Sequence, residues 1–195
     1  AHDRLAERRR RLLDAGLQEF GTRGYAASTV ASLAAAAGLS NRYFYEQFAD
    51  REALLLAVYD EVVAGGQAAL TAGLRDAPPH IAERVRSGVQ AFWEYHSADP
   101  RRARVQSVEV IGVGPALDAH RRAVVHSFAE IITAQHAEFV TAGYVRPRDV
   151  HTMAVGLVGA FNEVLIDWLQ TDPHPPGGPI VDDLCALTLA ILLHT

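Results

Sequence analysis

At 195 residues, with 49% apolar content and one cysteine, the chain is long enough to bury one large core or a small head on a larger body, and it can form no intrachain disulfide. Its net charge of −5 would argue against nucleic acid if it were evenly spread, but the residues up to Arg51 hold eight arginines against six acids, net +2, which leaves −7 for the remainder. The longest apolar runs, Met153–Phe161 and Leu184–Leu193, fall short of the roughly 18 residues that cross a bilayer, so no membrane partner is expected and a reducing cytoplasm fits.

Apolar residues recur at three-to-four spacing and period-two alternation is scarce, which predicts an all-α chain of about nine helices. The first runs from Leu5 to Phe20, with Gly21 and Gly24 ending it. Ser28 or Thr29 caps a short second helix to Ala36, Gly38 allows a sharp turn, and Ser40 caps a short third helix through Gln47. Asp50 caps a long fourth helix from Arg51, whose Gly65-Gly66 pair reads either as a hinge or as close packing. After Pro78-Pro79 come helices Ile81–His96, Arg101–Ile111 and Pro115–Ala142. The last two, Pro147–Gln170 and Ile180–His194, flank a loop at Pro173–Pro179.

Within the basic head, Thr29 to Phe48 reads as two short helices joined by Ala37-Gly38-Leu39, with Val30, Leu33, Ala34, Phe44 and Phe48 inward. On spacing alone this reads equally as a plain helical hairpin within an all-α domain or as one that presents its second helix to solvent, where it can enter a major groove about 12 Å wide. Asn41, Arg42, Tyr43, Tyr45 and Glu46 then face outward. Arg42 is the strongest base-reading candidate, because its guanidinium fork matches the O6 and N7 of guanine. The Arg8–Arg11 run reads equally as a set of DNA backbone contacts or as a solvated helix N-terminus.

From Leu12 to Val58 the chain resembles the head of the TetR family of bacterial repressors, through AGLQEFGTRGY, STVASLAAAAGLS, FYEQF and ADREALLLAVYD. The resemblance implies a helix-turn-helix DNA-binding domain over 1–50 and an effector-binding and dimerisation domain over 51–195. It implies phosphate contacts from Thr29, Tyr45 and Arg51, and base contacts from Arg42 and Tyr43 with Asn41 beside them. Arg42 and Tyr43 stand where Gly-Thr is frequent in the family, Phe44 where Leu is, Gln47 where His is, and Arg51 where Lys is. The bases read are therefore not carried over.

The implied function is a transcriptional regulator, a repressor released from a near-palindromic double-stranded operator by a small molecule, acting as a homodimer through its last two helices. Those helices are apolar nearly all round and need covering twice. Phe92, Trp93, His96, Glu109, Phe128, Gln135, Phe161 and Asn162 are the candidate effector-pocket residues, and they fit a hydrophobic or aromatic effector. The competing reading is a helical small-molecule-binding protein or an enzyme without DNA binding. No His-x-x-x-His, Glu-x-x-His, phosphate-loop or nucleophile-elbow pattern is present, so neither metal, cofactor nor catalytic residues are expected.

Overall fold

The computed structural model describes residues 2–78 and 80–193, with side chains described from Arg4 onward. Among these residues there are nine α-helices and no strands: α1 (His2–Thr22), α2 (Val30–Ala36), α3 (Asn41–Tyr45), α4 (Arg51–Asp76), α5 (Ile81–Ser97), α6 (Pro100–Arg104), α7 (Pro115–Thr141), α8 (His151–Gln170) and α9 (Gly177–Leu193). The all-α expectation holds. Pro79 and His194, which figured in expected boundaries, lie outside the described residues.

The chain forms two compact units, residues 1–63 with 99–118, and residues 64–98 with 119–195. In the first unit, α1 packs on α2 and α6, and α2 on α3. Leu12, Phe20, Leu33, Phe44, Leu54, Leu55 and Tyr59 are almost completely excluded from solvent there. In the second, α5 packs on α9 and α8 on α9, over a core that includes Val85, Phe92, Phe139, Leu157, Leu165 and Leu184.

Local chemistry sets most helix starts. Thr29, not Ser28, caps α2: its Oγ1 accepts the Ser32 N–H and the Ser32 Oγ accepts the Thr29 N–H, both at 3.0 Å, a reciprocal capping box. Ser28 instead donates its buried hydroxyl to the Gly24 carbonyl. Asp50 caps α4 by accepting the Ala53 N–H at 2.8 Å. Ser40 has the extended backbone of a cap but makes no side-chain capping bond; only its carbonyl is used, by the Phe44 N–H.

Five expected boundaries are corrected, the first at α3, which ends at Tyr45, two residues before Gln47. Gly21 lies inside α1, because Arg101 of α6 packs against it so closely that a Cβ would overlap the Arg101 side chain. Gly24, at φ +88, follows the helix instead. The helix expected over Arg101–Ile111 is α6 followed by a π-helical turn, Val105–Glu109, in which Val105, Gln106 and Ser107 are all buried. Three consecutive buried residues do not fit a 3.6-residue repeat with one solvated side, and the wider π turn accommodates them. Helix α8 begins at His151, whose N–H is accepted by Asp149. Helix α9 begins at Gly177, three residues before the expected start, because Pro179 falls in its first turn, where a missing amide leaves no bond unmade.

Helices α4 and α8 are long and apolar enough, by length and composition, to cross a membrane, although the uninterrupted apolar runs are shorter. Only 28% of the most apolar stretch of α8 is buried within this chain.

Candidate nucleic-acid interface and body cluster

In the first unit the turn between α2 and α3 is closed at Gly38, whose φ of +63 is the left-handed conformation glycine adopts without a steric cost. Its carbonyl accepts a 3.0 Å hydrogen bond from Arg11 Nη2 of α1. Phe44 is fully buried and Phe48 nearly so, with ring centres 6.0 Å apart, and they hold α3 onto the head. The outer side of α3 is open. Asn41 and Arg42 are exposed, the Arg42 side chain to 85%, and Tyr45 retains 59% exposure with its ring edge against Phe44. Tyr43 is only half-exposed.

Thr29 is exposed at the start of α2. Its hydroxyl oxygen is used in capping, which leaves its O–H available as a donor at an end where four backbone N–H groups lack helical partners. Arg51 is placed differently from a freely extended phosphate contact. Its Nη1 donates to the carbonyls of Tyr25 (3.0 Å) and Ser28 (2.6 Å), and its guanidinium lies 4.3 Å from the centre of the Tyr25 ring. Arg51 therefore ties down the loop that presents Thr29. Burial raises the Tyr25 phenol above its ordinary pKa, against the lowering effect of Arg51, so the ring stays neutral.

The arginines of the α1 run make contacts within the head, although Arg9, Arg10 and Arg11 remain exposed. Arg8 stacks over the Tyr43 ring at 3.8 Å and lies 3.6 Å from Glu46 Oε2; Arg9 stands over Phe48 at 4.6 Å; Arg11 holds the Gly38 carbonyl. Arg10 pairs with Asp14 and, at 2.9 Å, with Glu61. Arg8 thus touches α3, Arg9 the Phe48 ring just beyond it, and Arg11 the turn. The run was visible in the sequence, but these partners of Arg8, Arg9 and Arg11 lie 27 to 39 positions away, and no helical period could name them.

The eight body residues do not form one set. Phe92 is a hub: its ring meets Phe128 and Phe161, each at 5.8 Å between centres, and His96 at 4.4 Å, which brings α5, α7 and α8 together. His96 is fully buried, with Nδ1 2.9 Å from the Phe92 carbonyl. Trp93 meets Trp168 instead, at 5.4 Å, and these two rings line a surface groove of ≈ 550 Å³ with Arg86, Gln90 and Val181. Gln135 is buried and donates to Glu138, itself paired with Arg84. Asn162 is half-buried on α8. Glu109 belongs to the first unit, where its carboxylate accepts the Tyr25 N–H at 2.6 Å and pairs with Arg104 at 2.7 Å, so it does not join the pocket set. The reason is that the π turn points it back toward the end of α1.

Residues 12–58 match the family model described as bacterial regulatory proteins, tetR family. The fold is shared along almost the whole chain. FadR, a fatty acid degradation regulator from Bacillus halodurans, superposes with a TM-score of 0.83 at 20% identity, covering 93% of this chain and 94% of that one. A tetR-family regulatory protein from Rhodococcus RHA1 gives 0.75 at 24% identity, covering 95% and 97%. FadR from Bacillus subtilis, solved in complex with stearoyl-CoA, gives 0.74 at 19%, covering 93% and 94%. The head, residues 12–58, thus matches the model of the tetR family of bacterial regulatory proteins, and the chain as a whole shares the fold of these solved regulators.

Proposed function

We propose that this regulator is a cytoplasmic repressor that binds a near-palindromic operator as a homodimer and leaves it when a hydrophobic small molecule binds the body. In this reading residues 1–50 are the DNA-binding domain and 51–195 the effector-binding and dimerisation domain. The observation that carries DNA reading is the outer side of α3: Arg42 and Tyr45 stand exposed on a short helix fixed from beneath by Phe44 and Phe48. Arg42 and Tyr43 read bases with Asn41, while Thr29 and Tyr45 contact phosphates and Arg51 sets the loop that carries Thr29.

Dimerisation is supported by the unpartnered apolar surface of the last two helices. Gly156 and Gly159 face open space, and Leu187 and Leu193 are 40% and 45% exposed. A second copy laid on this surface removes from water what one chain leaves exposed, and a pair of heads then reads two half-sites. For the effector, the ring cluster of Phe92, Phe128 and Phe161 favours an apolar moiety. The stearoyl-CoA complex of the Bacillus subtilis relative makes long-chain acyl thioesters the first class to try.

The test is a titration of the full chain against the intergenic DNA beside its own gene, at several salt concentrations, with scrambled DNA alongside. Preferential binding that is released by stearoyl-CoA but not by coenzyme A supports the full reading. Equal affinity for native and scrambled DNA overturns specific regulation. Sedimentation of the wild type and of Leu187→Glu tests the dimer: a wild type that sediments as a monomer, or that partitions with membranes, sinks that part.

A further inference from the structure

Resting on the assignment of α3 as the base-reading helix, we propose that Arg8, which lies outside the helix-turn-helix, is a positioning residue for operator selectivity: it holds the Tyr43 phenol and, through Glu46, the Arg42 fork in one arrangement before DNA arrives. The three-side-chain arrangement is specific. The Arg8 guanidinium carbon lies 3.8 Å from the Tyr43 ring centre, and its Nη1 lies 3.6 Å from Glu46 Oε2. The other Glu46 oxygen accepts Arg42 Nε at 3.3 Å. One carboxylate therefore couples the arginine of α1 to the arginine of α3.

The need for such a device follows from the size of α3. Five residues make few internal hydrogen bonds, and Ser40 adds no side-chain cap. Phe44 and Phe48 fix the helix from beneath, where Phe44 meets the ring of Tyr45, a phosphate contact and not a base reader. On the outer side, Tyr43 is covered by Arg8, while the Arg42 side chain remains 85% exposed and is restrained by Glu46. A reader held in its binding geometry loses less side-chain freedom on binding, and a misplaced one loses its discrimination first. The Arg8 side chain is itself only 27% exposed, turned onto the protein and not outward to a phosphate. A planar guanidinium stacks on a phenol and pairs with a carboxylate at the same time; an ammonium does not reproduce that geometry.

The experiment selects duplexes from a random-sequence pool with the full wild-type chain. It then measures affinities for the selected duplex and its single-base variants, across salt concentrations, for wild type, Arg8→Lys, Arg8→Ala and, as a control on the same helix, Arg9→Ala. Arg8→Lys and Arg8→Ala are both expected to lose about tenfold discrimination at one or two adjacent base positions. Arg8→Lys should keep the wild-type salt slope, and Arg9→Ala should change no single position selectively. If Arg8→Lys reads like the wild type while Arg8→Ala weakens every duplex alike and makes the slope shallower by about one, Arg8 is a phosphate contact and the proposal is overturned. It is overturned equally if losses spread evenly over all positions, the mark of a loosened head. A wild type that enriches no sequence would instead refute base reading by α3, on which the proposal stands.

Discussion

The Glu109 carboxylate accepts the backbone N–H of Tyr25 at 2.6 Å, across 84 positions of sequence, and its other oxygen pairs with Arg104 at 2.7 Å. Arg104 in turn donates to the Thr22 carbonyl, so one ion pair satisfies two backbone groups, one at the last residue of α1 and one just past it. The Glu109 side chain is only 10% exposed. Glu109→Ala strands a peptide N–H and a guanidinium together and should cost about 1.5–3 kcal/mol, the range for charge-assisted bonds. Urea unfolding would show it as a lower midpoint at unchanged m-value; an unshifted midpoint would remove the latch from the account of the first unit.

Arg51 holds the loop before α2. Its bonds to the Tyr25 and Ser28 carbonyls and its stacking on Tyr25 need the forked guanidinium, so Arg51→Lys and Arg51→Ala should both melt about 2–4 °C below the wild type. Both variants should bind all duplexes more weakly because Thr29 is no longer held in place. A wild-type melting temperature for Arg51→Ala would return Arg51 to the simpler role of a phosphate contact.

Arg42 gives the opposite signature. Its exposed side chain pairs with Glu46, so Arg42→Ala should leave stability within about 0.5 kcal/mol and relax selectivity at one base position by about 1–3 kcal/mol. The check is a thermal melt beside a single-base variant panel, and uniform weakening over the panel would contradict base reading.

Gly65 settles the sense of the glycine pair in α4. A Cβ built there would overlap the Tyr95 hydroxyl and ring of α5, whereas Gly66 faces His96 with somewhat more room. Gly65→Ala should therefore destabilise by about 1–3 kcal/mol through overpacking, where an unconstrained helical glycine would gain from alanine. Calorimetry distinguishes the two by sign.

His136 is buried with no hydrogen-bond partner for Nε2 among the described residues, and burial, then the Arg148 charge, holds its pKa below the ordinary value near 6.5. The unfolded chain consequently takes up a proton that the folded chain refuses. Stability should be undiminished above about pH 6.5 and fall as the pH drops below it toward the lowered folded value. His136→Gln should flatten this slope in urea midpoints taken between pH 5 and 8, and an identical slope in the variant would assign it elsewhere.

Sequence alone determined the helices with strong local chemistry and the identity of the head. Asp50 sits immediately before its helix and bonds to backbone three residues on, Thr29 was one of two adjacent residues read as the cap of α2, and Phe44 and Phe48 fall one turn apart; such relations survive in a one-dimensional pattern because they span a single turn. Tertiary structure alone decided what Arg8, Glu109, Gly21 and Arg51 do, since each acts on a partner 23 to 84 positions away whose choice depends on how helices cross. The body divides the same way. Aromatic stripes announced buried faces, but only the packing of α5, α7 and α8 separated Phe92, Phe128 and Phe161 from Trp93, because adjacent positions on a helix point about 100° apart and meet different neighbours.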